Sequence, residues 1–209
     1  VEGQVDGQGI SVVKKALADA NLSDDRQRIL AGVSRSESSS GGFTKYQTWD
    51  TGKVSWGFTQ YTLGKNGNYD AATVLGNIKR KNPDVFQKRF KQYGIDVAKG
   101  KIRIQRPDGT QLTGGAAADF LRNNPKLSAA FIAAGTDPVF QRSQIDFANK
   151  KKIDGMRNYE VSISCSNGAS KKIQVGQILN SEYGVGIMAD RAVQQGVPSA
   201  RKLVAKTIS

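Results

Sequence analysis

The sequence predicts a mainly α (α+β) domain in which one or two small β-hairpins stand among a series of helices. Three observations predict this fold class. Apolar residues recur at helical spacing from Ile10 to Val33 and again after Gly115. At two places in the chain, short segments with aromatic or alternating side chains flank a turn that contains Asp and Gly. Hydrophobic residues make up 38% and charged residues 23% of the 209 positions, which is the composition of a globular protein.

The first part of the chain carries the clearest hairpin pattern. Residues 1–9 hold three Gly and two Gln and are expected to form a flexible N-terminal tail. Two short helices are predicted around residues 21–24, where Ser23 can cap the second. The second helix ends just before a Ser/Gly-rich stretch. Residues 45–49 and 53–58 then flank Asp50-Thr51-Gly52, an arrangement typical of a β-hairpin.

The rest of the chain predicts helices and one further hairpin. A helical region runs from about residue 68 to residue 93 with a break at Asn82-Pro83, and residues 95–113 predict a second small hairpin. The helices expected after it span residues 116–123, 126–134, 137–152, 170–179, 181–195 and 198–207. Because nothing marks a linker, residues 10–209 are expected to form a single domain.

Residue usage restricts the possible chemistry. The chain has no His and one Cys, which excludes Ser-His and Cys-His catalysis and metal sites built from imidazoles or paired thiolates. We therefore expect no metal and no cofactor, and carboxylates must carry any acid/base catalysis. No stretch approaches the ~20 apolar residues of a membrane span, and no signal peptide is recognisable.

The net charge of +13 favours a polyanionic partner. Nucleic acid, an anionic membrane surface and the bacterial wall with its acidic polymers all have the required charge. The basic runs Lys79-Arg80-Lys81 and Lys150-Lys151-Lys152 are expected to be solvated faces, with contacts to wall polymers as the alternative.

Glu37 is the candidate catalytic acid. The chain has only four glutamates, which are Glu2, Glu37, Glu160 and Glu182. Glu37 lies at the predicted end of an apolar helix, where partial burial would disfavour the charged carboxylate and keep a proton available near neutral pH. Ser34-x-x-Glu37 also matches a helix capping box, but the small residues 38–42 are a poor start for a helix.

The residues around Glu37 resemble the active-site signature of goose-type lysozymes and soluble lytic transglycosylases. The resemblance rests on Ser36-Glu37-Ser38-Ser39-Ser40-Gly41-Gly42-Phe43 followed by Ser55-Trp56-Gly57-Phe58-Thr59-Gln60, about 30 of the 209 residues. In that family a catalytic Glu-Ser pair closes a helix and a Gly-Leu-Met-Gln segment follows, whose place Gly57-Phe58-Thr59-Gln60 takes here. The family's later Ala-Tyr-Asn-Ala-Gly stretch has no close counterpart in this sequence.

The resemblance implies a lysozyme-like helical domain with a small β-hairpin beside the cleft, and cleavage of β-1,4 bonds in peptidoglycan. Glu37 would protonate the glycosidic oxygen. Asp50, at the hairpin turn, is the candidate second carboxylate, which an inverting hydrolase needs roughly 6.5–9.5 Å from the acid. Asp50 could equally serve an ordinary turn. A lytic transglycosylase needs no second carboxylate, because the 6-hydroxyl of the substrate attacks, and both mechanisms stay open.

Candidate substrate-binding residues lie in the same segment, with one addition further along the chain. Aromatic faces stack on sugar rings, while hydroxyl and amide groups bond to acetamido and hydroxyl groups. The candidates are Ser55, Trp56, Gly57, Gln60, Tyr61 and Tyr183. Of the clustered aromatic residues Trp49, Trp56, Phe58 and Tyr61, one or two are expected to touch sugar and the others to pack in the core.

The expected partner is the glycan strand of peptidoglycan, bound by a monomer that acts in the extracellular space or the periplasm. Such a chain would come from a secreted protein or from a phage lysis or virion protein. One rival function is a chitosanase, although a net charge of +13 would repel a polyamine substrate. The other is a non-catalytic basic module that binds wall or nucleic acid. No nucleic-acid motif is present, so no nucleic acid is expected.

Overall fold

A computed structural model describes residues 2–3, 9–38, 42–49, 52–64, 70–164 and 169–208. Within these ranges, helices are the main elements and three small antiparallel sheets accompany them. The structure therefore confirms the mainly α (α+β) fold class.

The helices follow the predicted order closely. They are α1 (Ile10–Ala18), α2 (Asp24–Ser38), α3 (Asp70–Lys81), α4 (Pro83–Arg89), α5 (Gly114–Arg122), α6 (Pro125–Ala134), α7 (Pro138–Ala148), α8 (Gly155–Arg157), α9 (Val175–Ile178), α10 (Glu182–Gln194) and α11 (Val197–Ile208). Short 3-10 turns lie at Gly42–Thr44 and Lys91–Tyr93, and a π-helical turn at Asn149–Asp154 follows α7. Proline occupies the first turn of α4, α6 and α7, where its missing N–H costs nothing.

The first sheet has the strand order β1-β2-β3-β4 and contains the hairpin predicted around residues 50–52. Its strands are β1 (Glu2–Gly3), β2 (Tyr46–Gln47), β3 (Ser55–Trp56) and β4 (Tyr61–Thr62). Tyr46 lies opposite Trp56, and Trp56 lies opposite Tyr61 on the next strand. Because β1 pairs with β2, two positions of the predicted N-terminal tail belong to the sheet.

The other two sheets differ in how well the sequence predicted them. The predicted second hairpin is confirmed and gains a third strand, giving β5 (Ile95–Ala98), β6 (Lys101–Gln105) and β7 (Gln111–Thr113). The helix predicted over residues 170–179 is wrong in its first half. That half is β9 (Ser170–Gln174), which pairs with β8 (Glu160–Ser164). A short alternation interrupted by two lysines gives too weak a strand signal in the sequence.

One apolar core runs from Val13 to Ala200, and Trp56 lies within it. The indole ring meets Phe90, Phe131 and Phe140 edge to face, with centroid distances of 6.5, 5.6 and 6.3 Å. Edge-to-face pairs of this kind stabilise a core beyond their buried area. The first sheet is thereby fixed to the helices that carry these phenylalanines.

A buried ion pair joins α3 to the π-helical turn. The prediction of a solvated face is wrong for Lys152, which is only 4% exposed and lies 3.0 Å from Oδ2 of Asp70. Lys151 approaches Oδ1 of the same carboxylate at 2.6 Å. Burial alone would raise the pKa of Asp70, but the two lysines outweigh burial and the pKa is lowered.

Candidate active site

Glu37 lies half-buried in the last turn of α2. The hydroxyl of the next residue, Ser38, donates to the carbonyl oxygen of Ser34 at 2.8 Å, and the two hydroxyl oxygens are 3.2 Å apart. Such a bond returns a side chain to the backbone one turn earlier and is common where helices bend or end. Since α2 ends at Ser38, Ser34 and Glu37 belong to a last turn. The capping-box alternative, which needs a helix to begin there, does not apply.

The chain that follows Glu37 is held against the end of α6. Residues 42–44 form a buried 3-10 turn, and Gly135, just after α6, lies directly on the backbone of that turn. A Cβ at Gly135 would overlap the carbonyl oxygen of Phe43. This close approach fixes where the sheet begins relative to the end of α2.

The Gly57–Gln60 segment, on which the family resemblance partly rests, is a tight turn between β3 and β4. The backbone N–H of Gln60 donates to the carbonyl oxygen of Gly57 at 3.1 Å, and the side-chain Nε2 of Gln60 donates to the same oxygen at 2.8 Å. Both residues have left-handed backbone, with φ of +85° at Gly57 and +50° at Gln60. The Oε1 atom of Gln60 is buried and has no hydrogen-bond partner among the described residues.

Gln144 on α7 holds this turn in place, and the sequence analysis missed it. Its side chain is fully buried, and its Oε1 atom accepts the backbone N–H of Phe58 at 3.1 Å. The backbone carbonyl oxygen of Gln144 accepts a hydrogen bond from the hydroxyl of Tyr61 at 2.6 Å. Burial raises the pKa of Tyr61 well above its usual value, so this hydroxyl stays a donor. The only sequence signal for Gln144 is an amide within the apolar stripe of a helix.

Buried polar side chains concentrate around the end of α2 and the first sheet. Those from this stretch, all at or below 9% exposure, are Ser34, Ser38, Thr44, Lys45, Gln47, Thr48, Ser55 and Thr59. The rest of the described chain contributes Asp70, Ser128, Gln144 and Lys152. Burying polar groups is costly unless they are bonded, so a fold that gathers them in one place sacrifices apolar packing there. This concentration marks the region as a candidate site independently of any motif.

The predicted substrate-binding residues divide by burial. Ser55, Trp56 and Tyr61 are at most 1% exposed and Gly57 is also buried, so they pack in the core and have no surface with which to contact a sugar. Gln60 is half-buried. Tyr183 is 79% exposed, and Trp49 is the other widely exposed aromatic residue, at 68%. Asp50 lies outside the described residues.

A groove of about 590 Å³ runs between α2 and α10. Its α2 wall carries Arg28, Gly32 and Ser36 at intervals of four residues, and Glu37 is the next residue after Ser36. Nε of Arg28 on α2 donates to both carboxylate oxygens of Glu182 on α10, at 2.9 and 2.8 Å. Tyr183 lies on the α10 side. The groove thus joins an exposed aromatic ring to the helix that carries the candidate acid.

Asp190 is a second residue that the sequence analysis missed. It lies on the α10 wall two turns beyond Glu182, as Ser36 lies two turns beyond Arg28 on the other wall. Its Oδ2 atom accepts the amide of Gln194 at 2.9 Å, whereas Oδ1 is buried and has no partner among the described residues. A buried carboxylate oxygen without a partner is uncommon and needs an explanation. The i, i+4, i+8 spacing of Glu182, Gly186 and Asp190 was the available sequence signal.

The described residues lack a candidate membrane span and a candidate metal cluster. None of their helices is both long and apolar enough to cross a membrane. Nor do these residues include a group of three or more Cys, Asp or Glu side chains placed to hold a metal ion.

Comparison of the chain with protein-family models, with curated proteins and with solved structures finds no match. The local signature around Glu37 and the geometry of the site are therefore the basis for a function.

Proposed function

We propose that this protein is a glycosidase that cleaves β-1,4 bonds in the glycan strands of peptidoglycan, with Glu37 as the general acid. The observation that carries the proposal is the position of Glu37. It lies half-buried in the last turn of α2, nine residues before strand β2 of a small antiparallel sheet. It also follows the last α2 residue that lines the α2–α10 groove. The proposed site of action is outside the cytoplasm, where peptidoglycan lies, and the proposed form is a monomer.

Glu37 has the chemical role of donating its proton to the glycosidic oxygen as the bond to the sugar breaks. The end of a helix disfavours negative charge, because the unpaired carbonyl groups of the last turn point there. A carboxyl group in this position, partly removed from water, is suited to hold a proton until the substrate arrives.

Two carboxylates are candidates for activating the attacking water. Asp50 is the one implied by the family resemblance, and Asp190 is the one that lines the groove. If neither acts as a base, the 6-hydroxyl of the substrate attacks the same carbon and the enzyme is a lytic transglycosylase. Asp190 lines the groove and can alternatively accept hydrogen bonds from sugar hydroxyl groups.

The proposal is tested by measuring the loss of turbidity of purified peptidoglycan with the wild type, Glu37→Gln and Glu160→Gln. General acid catalysis accelerates a reaction about 10²–10⁴-fold, so we expect the rate of lysis by Glu37→Gln to be about 10³-fold lower than that of the wild type. Glu160, exposed on β8, is the matched control, and its variant should lyse at the wild-type rate. Circular dichroism should show the same fold for all three proteins. Lysis by Glu37→Gln at the wild-type rate would refute the proposal.

A chitosanase is the second candidate, and one observation favours it. The charged residues that line the groove are two acids, Glu182 and Asp190, and one base, Arg28, although the whole chain carries a net charge of +13. Local negative charge suits a polyamine. Release of reducing sugars from soluble chitosan, with no activity on peptidoglycan, would place this candidate first.

A further inference from the structure

Positive charge is concentrated in one segment of the chain, away from the α2–α10 groove. Residues 79–106 hold ten Lys and Arg against two Asp, a net charge of +8 out of +13 for the whole chain. They comprise the end of α3, then α4, the second 3-10 turn, β5 and β6, and these elements pack against one another. We call this part of the molecule the basic lobe.

Two adjoining grooves open where the basic lobe meets α5 and α6. One has a volume of about 420 Å³ and the other about 350 Å³, and both are lined by Gln92, Tyr93 and Lys126. Lys88 and Arg89 line the first groove, and Arg106 lines the second. None of the residues that line either groove is an Asp or a Glu. The charged residues that line the two grooves are therefore all basic, and Tyr93 lies where the grooves adjoin.

The basic residues that line the two grooves differ in how far their charge is already neutralised. Arg89 pairs with Asp137 at 3.2 Å, and Arg106 pairs with Asp108 at 3.0 Å. Lys88 and Lys126 are exposed, and neither has an ion-pair partner within the described part of the chain. These two ammonium groups are available to an anion without breaking a bond within the protein.

We propose that these two grooves bind a linear phosphodiester polymer of the cell envelope, of the poly(glycerol phosphate) kind. The choice of an envelope polymer rests on the proposed function, and the charge complementarity rests on the grooves themselves. Ammonium groups attract phosphate as point charges and need no fixed geometry, which suits a flexible polymer. Such binding would hold the enzyme at the wall while the separate α2–α10 groove engages the glycan.

The same grooves fit nucleic acid less well. Proteins that bind single strands stack successive bases on aromatic side chains spaced along a basic groove. On the basic lobe, Tyr93 is the one large aromatic side chain that the described residues expose, at 41%. Phe120, the other aromatic residue that lines these grooves, is half-buried, and the guanidinium of Arg106 lies 5.6 Å from the centroid of its ring. One exposed ring can cover one sugar or glycerol unit, but it provides no stacking platform.

The test uses the double variant Lys88→Gln/Lys126→Gln and the charge-matched control Lys14→Gln/Lys202→Gln, whose lysines are exposed on α1 and α11. Binding of soluble poly(glycerol phosphate) is measured by titration calorimetry at several salt concentrations. Loss of two exposed charge contacts should weaken binding about fivefold in the first variant and leave the control near wild type. The salt dependence should also become shallower in the first variant only.

Two outcomes overturn the inference. Equal affinity of both double variants would mean that the polymer is held by general charge and not by these grooves. Tighter binding of a thirty-residue oligo-dT than of the glycerol polymer, weakened by the same two substitutions, would assign the grooves to nucleic acid. Because the titration needs no glycan cleavage, a protein that binds the polymer but leaves peptidoglycan intact would disprove the proposed function alone.

Discussion

Two regions of this molecule bury polar side chains, and they do so in different ways. Around the end of α2 and the first sheet, the buried polar side chains carry mostly hydroxyl and amide groups. Some buried polar atoms in this region have no partner among the described residues, including Nε1 of Trp56 and Oε1 of the half-buried Gln60. Between α3 and the π-helical turn, Asp70 and Lys152 are buried as opposite charges that bond to each other. Lys152 also donates to the carbonyl oxygen of Ala192 at 3.3 Å.

This difference suggests a structural role for the buried ion pair of Asp70 and Lys152 and a functional role for the buried polar groups around the end of α2 and the first sheet. A fully bonded buried pair specifies one arrangement of the elements that carry it, and removing one partner is costly. A region that retains unpartnered polar atoms gives up stability, and proteins do so mainly where a ligand or a reaction requires it. Five predictions test this comparison, from the largest expected effect to the smallest.

The largest effect is expected from Asp70→Asn, which leaves Lys152 buried without a countercharge. We expect a loss of about 3–5 kcal/mol in the free energy of unfolding at pH 7, measured by urea denaturation. The control is Asp146→Asn, whose half-exposed pair with Arg142 should contribute less than about 1 kcal/mol. Similar losses from both substitutions would contradict the structural role of the buried pair.

The difference in the free energy of unfolding between the wild type and Asp70→Asn should depend on pH. The folded-state pKa of Asp70 is below the usual value of 3.8, so its contribution is complete above that value and is lost as the pH falls through the lower folded-state pKa. The stability gap between the wild type and Asp70→Asn should therefore narrow in acid. A gap that widened below pH 4 would show that the carboxylate is not stabilised by its lysines.

Gly57→Ala tests the turn beside the candidate site. Residue 57 has a left-handed backbone, and the new Cβ would overlap Oε1 of Gln144. The hydrogen bond that the N–H of Phe58 donates to this oxygen should therefore be lost. We expect a loss of about 2–4 kcal/mol in the free energy of unfolding. Gly76→Ala is the matched control, because nothing lies within 4 Å of its added Cβ in α3. Alanine at position 76 should raise the free energy of unfolding by up to about 1 kcal/mol. A change of the same sign in both variants would contradict the account.

The two candidate carboxylates should affect different kinetic constants. If Asp50 activates water, Asp50→Asn should lower kcat about 10²-fold with little change in KM. Asp190→Asn should chiefly raise KM, because Asp190 lines the groove. The reverse pattern would transfer the role of base to Asp190. An unchanged kcat in both variants would point to transglycosylation.

The smallest effect is expected from Tyr183→Ala at the rim of the groove. An exposed ring that stacks on a sugar contributes about 1 kcal/mol, so KM should rise about fivefold while kcat and stability stay close to wild type. Leu203→Ala on α11 removes an exposed apolar side chain that does not line this groove, and it should change neither constant. A KM unaffected by Tyr183→Ala would separate the α2–α10 groove from substrate binding.

Local sequence patterns predicted most of the elements of this fold. Helix boundaries agreed where Pro or Ser marked a first turn, as at Pro138 and Ser181. The pairing of β8 with β9 was missed because three lysine and serine residues outnumber the apolar ones in β9. The π-helical turn was also missed, and it is this turn that brings Lys152 to Asp70.

The candidate site was predictable in part. Glu37 could be singled out because so few carboxylates occur in a setting of this kind. Which aromatic residue is exposed could not be predicted, since Trp49 and Trp56 lie in one short segment and only the packing of the helices buries the second. Gln144 acts through contacts with Phe58 and Tyr61, far away in the chain, so no local pattern identified it. The helical spacing of Asp190 was visible in the sequence, but the groove that it lines forms only where α10 packs against α2.

The central claim is that the protein cleaves glycan strands by means of Glu37. Mass spectrometry of a digest of purified peptidoglycan tests it most directly. The account predicts fragments with new ends at β-1,4 bonds, either reducing sugars or 1,6-anhydro sugars, and their release about 10³-fold more slowly by Glu37→Gln. Intact glycan strands after prolonged incubation with the folded wild type would contradict it.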